Sequence, residues 1–261
     1  MKSSVRIITF LLLVPFVANA QDAPNKTDAT GKKQGHWIKY DDKHKKLYDG
    51  NFVDNVPVGK FTYYYDTGTP WAVTTFTDNG KEARTKTYDA GGKITGEGKY
   101  VNEKKDSTWK FYNEEGGVLS IDLYSNGAKN GICKVFYHNG DVAEEKLWKD
   151  GVPNGIWKKY FQGGAIKYNG QTIKDKVEGK VTFYYPTGQI QAEGIYKGDL
   201  KDGDWKYYTE DGKIKRIDKF INGVDQNPDR DVIKKEKLEK DKREHEGFEI
   251  KNPYEEGYTP R

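Results

Sequence analysis

Several short motifs in this chain resemble parts of catalytic sites. Asp66-Thr67-Gly68 matches the triplet that carries the acid in aspartic proteases, a chemistry in which two carboxylates share one proton. The only comparable triplet, Pro186-Thr187-Gly188, has no acid. Asp66 therefore lacks the partner that the reaction requires, and we interpret both triplets as hairpin turns.

Two acidic pairs and four histidines give no better candidate. Glycoside hydrolysis needs two carboxylates on either side of one sugar bond, whereas Glu114-Glu115 and Glu144-Glu145 are sequence neighbours that would point to opposite sides of a strand. The histidines are scattered without metal-ligand spacing; they are His36, His44, His138 and His245. We predict no catalytic residue, and the chain is not expected to be an enzyme.

Acidic turns and the single cysteine also have structural interpretations. Clusters such as Asp78-Asn79-Gly80 offer one or two acids per turn, too few to converge on a calcium ion. No phosphate loop or dinucleotide fingerprint is present, so neither a metal nor a cofactor is expected. Cys133 cannot form an intramolecular disulfide, and it stands where other copies of the repeat have Trp or Phe. We predict a small buried hydrophobic residue there.

The element that positions these residues is a 24-residue repeat beginning at Gly35. We number its positions 1 to 24, so that repeat 1 starts at residue 35 and repeat 8 at residue 203. Position 6 is aromatic in all eight copies, and position 10 is glycine in seven. The position 6 residues are Tyr40, Tyr64, Tyr88, Tyr112, Phe136, Tyr160, Tyr184 and Tyr208.

Each copy reads as one β-hairpin. In repeat 8, Trp205 to Thr209 has high β-propensity, Gly212 permits a tight turn, and Ile214 begins a second strand that reaches Phe220. Small residues at positions 14 and 16, such as Gly96 and Gly98, leave room for a ring from the next strand. With 34% hydrophobic and 14% aromatic residues, the chain cannot build a large aliphatic core. We predict an all-β fold, an elongated antiparallel sheet of about eight stacked hairpins over residues 35–226.

The repeat resembles the MORN-repeat-variant family, whose members are often named YwqK-type antitoxins. The segments that carry the resemblance are GIWKKYFQGGAI (155–166), GKVTFYYPTGQI (179–190) and GDWKYYTEDGKI (203–214), and the likeness extends over about residues 35–223. This resemblance implies an elongated hairpin array used for binding. An antitoxin-like binding protein is the function that the family name suggests.

The two ends of the chain differ from the array. Residues 1–20 combine Lys2 and Arg6 with an apolar run and Ala18-Asn19-Ala20, a pattern typical of a signal peptide cleaved near Ala20. We therefore expect export to the periplasm, the outer cell surface or the medium; a retained anchor is the alternative. We expect a flexible leader at residues 21–34 and a charged tail at residues 227–261, with a short helix or disorder.

A row of lysines and rings is the candidate binding face. Without Lys2 and Arg6 the chain has 42 basic and 40 acidic residues, a near balance that argues against nucleic acid. Positions 4 and 6 should share one face of the sheet. We expect this face to bind another envelope or secreted protein, or alternatively an anionic lipid or glycan; the rings could instead pack together under the lysine stems. The residues are Lys86, Lys110, Lys134, Lys158, Lys206, Tyr88, Tyr112, Phe136, Tyr160, Tyr184 and Tyr208.

Overall fold

A computed structural model describes residues 23–227, and the regular elements within this range are all β-strands. The predicted all-β class and the succession of antiparallel hairpins are confirmed. Among these residues, no helix is long and apolar enough to cross a membrane. The predicted signal peptide at residues 1–20 and the charged tail beyond Asn227 lie outside the described residues.

The chain divides into two compact units, one up to Lys93 and one from Ile94. In the first unit each strand pairs antiparallel with the next along the chain. The strands are β1 (Lys26–Thr27), β2 (Lys33–Tyr40), β3 (Lys46–Val53), β4 (Val56–Tyr64), β5 (Pro70–Thr77) and β6 (Glu82–Tyr88).

The second unit is also an antiparallel meander, because its long strands pair antiparallel with their neighbours in sequence and two-residue strands join some of them. The strands are β7 (Ile94–Val101), β8 (Lys104–Tyr112), β9 (Val118–Ser125), β10 (Ala128–Lys129), β11 (Gly131–Phe136), β12 (Val142–Lys149), β13 (Val152–Tyr160), β14 (Ile166–Ile173), β15 (Lys176–Val177), β16 (Gly179–Tyr184), β17 (Ile190–Lys197), β18 (Leu200–Tyr208), β19 (Ile214–Ile221) and β20 (Val224–Asp225).

Glycine at positions 1 and 10 has two different roles. At position 10, Gly212 has φ +79° and closes the hairpin turn, as the sequence predicts. At position 1, Gly203 has φ +69° and lies where the register between β17 and β18 shifts, which is a β-bulge. Repeat 3 has Ala83 at that position, and the pairing of β5 with β6 runs without a shift.

Rings packed on glycines hold neighbouring hairpins together. Trp205 at position 3 of repeat 8 is buried and covers Gly194, position 16 of the preceding repeat, where an added Cβ would overlap the indole. The Trp205 Nε1–H donates to the carbonyl of Ile195 at 3.2 Å. Trp109 covers Gly98 and donates to the Lys99 carbonyl at 3.0 Å in the same manner. We call this side, formed by positions 3, 5, 14, 16 and 18, the ring face.

The size of the side chain at position 3 alternates from one repeat to the next, so the full pattern recurs only every 48 residues. Even repeats have large side chains there and odd repeats from the third onward have small ones. The series from repeat 2 is Phe61, Thr85, Trp109, Cys133, Trp157, Val181 and Trp205. Position 16 of the preceding repeat compensates: Gly50 lies under Phe61, whereas Thr74 bonds the hydroxyl of Thr85 at 2.9 Å. At these two junctions, the side chain at position 3 and its partner at position 16 are therefore matched in volume.

The prediction of a flexible leader is wrong for residues 23–34, the part of the leader that the structure describes. Residues 23–34 contain β1, which pairs with β2, and the Asn25 N–H donates to the His36 carbonyl at 2.9 Å. Asp28 accepts bonds from Thr30 and Lys32 and so fixes the connecting turn. The Trp37 Nε1–H donates to the Lys26 carbonyl at 3.1 Å. A polar segment is ordered here because its backbone completes the edge of the sheet.

We expect Gly194→Ala to lower the free energy of unfolding by about 1–3 kcal/mol, because the new methyl group must displace the Trp205 indole. Urea unfolding followed by tryptophan fluorescence measures this change. Gly91→Ala is the control, since Gly91 lies in a turn at an ordinary φ and a Cβ there meets only the side chain of Asp89. Equal losses in the two variants would contradict ring-on-glycine packing as the source of cohesion.

Candidate functional site

The predicted lysines and rings lie on the side of the sheet opposite the ring face. Lys86, Lys110 and Lys206 are exposed, Lys134 and Lys158 are half-buried, and the six rings at position 6 are half-buried. Lys86 and Tyr88 belong to the first unit, and the other nine residues belong to the second. We call this side the lysine face, formed by positions 2, 4, 6, 15 and 17.

A row of glutamates, which the sequence analysis missed, lies between these lysines and rings. The hydroxyl of Tyr112 donates to Glu97 at 2.7 Å, and those of Tyr160 and Tyr208 donate to Glu145 and Glu193 at 2.8 Å. The three glutamates occupy position 15 of repeats 3, 5 and 7, so they recur every 48 residues. The other repeats have Val, Ile or Asn there, except repeat 1 with Asp49. The recurrence of Glu at position 15 every 48 residues is the sequence signal that could have identified this row of glutamates.

Ion pairs complete two of these clusters. Lys134 Nζ lies 2.9 Å from Glu145, and Lys180 Nζ lies 2.8 Å from Glu193. The bond from Lys134 lowers the pKa of Glu145, and the bonds from Lys180 and Tyr208 lower that of Glu193. Burial, with the neighbouring Glu145, raises the pKa of Tyr160 to about 12. These glutamates are therefore ionised anchors that hold adjacent hairpins rather than proton donors near neutral pH.

An aliphatic stripe crosses four strands of the lysine face. It consists of Leu123 on β9, Ile132 on β11, Leu147 on β12 and Ile156 on β13. Ile132 is directly opposite Leu147 in the antiparallel register. Ile132 and Ile156 are 37% and 38% exposed, so these two β-branched side chains are open to a partner.

Glycines at position 1 bring this stripe together. A Cβ on Gly131 would meet the side chain of Leu123, and one on Gly155 would meet Leu147. Both glycines have positive φ, as the β-bulges at these junctions require. Each leucine therefore folds over the bulge next to it. Charged residues border the stripe, since Lys134, Glu145 and Lys158 lie two positions away along the same strands.

On the ring face, lysines from another position of the repeat cover packed rings. Lys201 Nζ lies 4.1 Å from the ring centroid of Trp205, and Lys105 Nζ lies 4.5 Å from that of Trp109. Both are at position 23. Their ammonium groups face the π clouds and their stems shield the rings from water. The arrangement of rings under lysine stems, which the sequence analysis offered as an alternative for positions 4 and 6, thus occurs on the ring face.

The acidic motifs take the positions expected of structural residues. Glu144 lies near Lys146 and Lys159, whereas Glu145 pairs with Lys134, so these two acids face opposite sides of β12. Asp66 belongs to the turn between β4 and β5, closed by the Gly68 N–H donating to the Tyr65 carbonyl at 2.8 Å. Within residues 23–227, no group of His, Cys, Asp and Glu could hold a metal ion.

Cys133 is buried, as predicted, and burial is the main cause that raises the pKa of its thiol to about 11. The thiolate is the nucleophilic form of cysteine, so the environment of Cys133 suppresses its reactivity at neutral pH. It occupies the small position 3 of repeat 5 on the ring face.

Replacing Glu145 and Glu193 by Gln together should flatten the acid limb of the stability curve. Their pKa values in the folded chain lie below the ordinary 4.5, so the stability that they contribute is present at neutral pH and is lost as pH falls through the folded values. Urea midpoints should drop less in the double variant than in the wild type between about pH 6 and about pH 3. Glu210→Gln, in an exposed turn, is the control and should retain the wild-type slope; identical slopes in all three proteins would refute the anchoring role.

Comparison with protein families finds a match for part of the repeat array. The model of the MORN repeat variant matches residues 129–150, 177–197 and 201–222. Comparison with curated proteins finds no match.

Among solved structures, the chain is similar to the S. aureus TarM G117R mutant in complex with fondaparinux, α-GlcNAc-glycerol and UDP, with 15% identity and a TM-score of 0.28. That match covers 43% of this chain and 20% of the other. A second crystal structure of TarM matches at 17% identity and a TM-score of 0.28, over 36% of this chain and 20% of that one. The chain thus spans about a fifth of these structures. The three segments at 129–150, 177–197 and 201–222 therefore match the MORN repeat variant, and the same 24-residue period recurs in the sequence from residue 35.

Proposed function

We propose that this chain is an exported, non-catalytic repeat scaffold that binds another protein through the lysine face of its second unit. The aliphatic stripe of Leu123, Ile132, Leu147 and Ile156 is the observation that carries the proposal. Protein interfaces commonly combine a dehydrated apolar centre with a charged rim. The stripe supplies such a centre, and Lys134, Lys158 and Glu145 supply the rim.

The chemistry of the face supports binding rather than catalysis. Glu145 and Glu193 are held by lysine and tyrosine bonds that keep them charged, so neither is poised to transfer a proton. The bulges fix the backbone beneath the stripe, which reduces the conformational entropy that a partner must overcome on binding. If the chain acts as an antitoxin-like binding protein, as the family name suggests, its target would bind to the same surface.

An anionic lipid or glycan is the second candidate. It is favoured by the exposure of Lys110 and Lys206 beside half-exposed rings of the second unit, a combination that suits headgroups and sugars. Glu145 and Glu193 offset part of that positive charge, which favours a protein over an acidic surface. Co-sedimentation with anionic vesicles and with polysaccharide at low salt separates the two candidates, since a protein-binding scaffold should stay in the supernatant.

Ile132→Lys combined with Ile156→Lys should abolish capture of partner proteins, because two charges in the apolar centre would have to be desolvated on binding. The measurement compares proteins captured from the envelope fraction of the source cells by the mature wild type and by the variant, with quantitative mass spectrometry. We expect the loss to be at least on the order of tenfold for the specific partner.

Ile173→Lys with Ile221→Lys is the matched control. It makes the same exchanges at exposed isoleucines of β14 and β19 outside the stripe and should leave capture unchanged. Urea midpoints of both variants should match the wild type, since all four side chains are exposed. If the stripe variant captured the same proteins as the control, the stripe would not be the binding surface.

Export is the remaining part of the proposal, and the pattern of residues 1–20 supports it. We expect the protein isolated from its source cells to begin at Gln21, with the mass of residues 1–20 missing. Intact-mass and N-terminal sequencing measurements check this, and Ala18→Arg with Ala20→Arg should block the cleavage, because signal peptidase requires small residues there. A mature protein that still began at Met1 would contradict cleavage and favour the retained anchor.

A further inference from the structure

One junction of the ring face contains three buried polar atoms without a protein partner. They are the indole Nε1 of Trp157, the hydroxyl oxygen of Tyr168 and the hydroxyl oxygen of Thr172, none of which forms a hydrogen bond with another atom of the described residues. Tyr168 is 6% exposed and Thr172 is 2% exposed, so bulk water does not reach these hydroxyl groups. Folded proteins leave few such atoms unsatisfied, because each one costs free energy.

The equivalent indole of repeat 8 has a partner, and the comparison explains why that of repeat 6 has none. Trp205 lies on Gly194, where the pairing of β17 with β18 shifts, and it donates to the Ile195 carbonyl. Trp157 has Lys146 instead of glycine at the corresponding position, and the two residues are directly paired in the register of β12 with β13. The Lys146 Nζ lies 4.1 Å from the centroid of the Trp157 ring. The larger side chain at position 16 therefore keeps the Trp157 indole from the place that Trp205 occupies in repeat 8.

The three atoms belong to side chains that meet at Gly170, position 16 of repeat 6. Trp157 is directly opposite Gly170 in the register of β13 with β14. The Tyr168 side chain folds over the same glycine, because a Cβ on Gly170 would overlap the phenol oxygen. The centroids of the Trp157 and Tyr168 rings are 5.0 Å apart. Thr172 is two residues further along β14, so its side chain lies on the same face of the sheet as Tyr168.

The side chains of this junction are also smaller than those of its neighbours. Position 18 is aromatic in the other seven repeats but is Thr172 in repeat 6. Position 3 of repeat 7 is Val181, whereas the next repeat has Trp205 there. Gly170, which contributes no side chain, lies between β13 and Val181. The Tyr168 ring fills part of the space above it. A polar lining and small side chains are the two conditions under which a protein interior holds water.

Water matches the hydrogen-bonding capacity of the three groups. An indole N–H can only donate, whereas each hydroxyl group can donate or accept. A water oxygen can accept from Trp157 and from one hydroxyl group while a water hydrogen is donated to the other. A metal cation fits poorly, because the three groups include no carboxylate, thiolate or imidazole. Internal waters typically make about three hydrogen bonds, which is the number of partners available at this junction.

We propose that this junction binds one structural water molecule, held by the Trp157 indole N–H and by the hydroxyl groups of Tyr168 and Thr172. The water links β13 with β14. It satisfies in repeat 6 the indole that a backbone carbonyl satisfies in repeat 8. The cohesion of this hairpin therefore depends on a bound solvent molecule in addition to the packing of its rings.

A high-resolution crystal structure of the purified protein tests the site directly. We expect one ordered water about 3 Å from at least two of the three polar atoms. A site without a water, density for an ion or for a rearranged side chain, or a water that contacts fewer than two of these atoms would overturn the proposal.

The sign of a stability change gives an independent measurement. Tyr168→Phe and Thr172→Val each remove one hydroxyl group with little change in shape. Each should raise the unfolding equilibrium constant, measured in urea, by about two- to tenfold, because a bond to the water is lost. If these hydroxyl groups were unsatisfied in a dry site, their removal would instead stabilise the fold. An unchanged or higher urea midpoint in either variant would therefore refute the proposal.

Combining the two substitutions tests whether both hydroxyl groups bind the same water. The effects of independent sites on the unfolding constant multiply. The effect of Tyr168→Phe with Thr172→Val should fall at least about twofold short of the product, because either substitution alone already weakens the binding of the water.

Tyr48→Phe with Thr172→Val is the matched control for this coupling. Tyr48 also occupies position 14, but in repeat 1, and its hydroxyl group accepts from Lys33 Nζ at 3.3 Å. The two effects should multiply in this pair. Full multiplication in the Tyr168/Thr172 pair as well would show that the two hydroxyl groups share no water and would overturn the proposal.

Discussion

The structure depends on one recurring contact, in which the side chain at position 3 of a hairpin fills the space left at position 16 of the hairpin before it. Trp205 on Gly194 and Trp109 on Gly98 are the large members of this series. A single hairpin has no interior in which to bury such a ring, so the cohesion of the chain comes from the junctions. At the junctions where a ring covers glycine and at the junction of Thr85 with Thr74, the two side chains are matched in volume, so these even and odd repeats are not interchangeable.

The side chains of the ring face pack one hairpin on the next, so residues with other roles can occupy the lysine face. Position 23 lysines such as Lys201 shield the rings on one side. On the other side, Glu97, Glu145 and Glu193 accept bonds from tyrosines of the following repeat, so polar contacts also join the hairpins. Between these glutamates lies the aliphatic stripe from Leu123 to Ile156, whose side chains form no hydrogen bonds. Its aliphatic side chains are positioned by the same bulges that allow successive hairpins to follow one another.

The alternation of two hairpin types also explains local departures from the average repeat. Thr85 and Cys133 are much smaller than the rings that other copies carry at position 3. In the structure Thr85 lies beside Thr74 and Cys133 beside Asp122, and both of these polar side chains are larger than the glycines that lie under Trp109 and Trp205. Likewise Ala83 removes a bulge without breaking the ladder, because β5 and β6 then pair in straight register. Each deviation is compensated at a neighbouring position.

Much of the fold could be read from the sequence because a 24-residue period fixes the strands, the turns and which residues share a face. The glycine turn at residue 212, the burial of Cys133 and the common face of Lys206 and Tyr208 all follow from that local pattern. The order of residues 23–34, the glutamate anchors and the stripe were missed, because each depends on which strand lies beside which and in what register. The hairpins themselves follow from the local pattern of residues. Which strands become neighbours depends on the folded chain, since contacts between residues far apart in the sequence exist only once the hairpins are stacked.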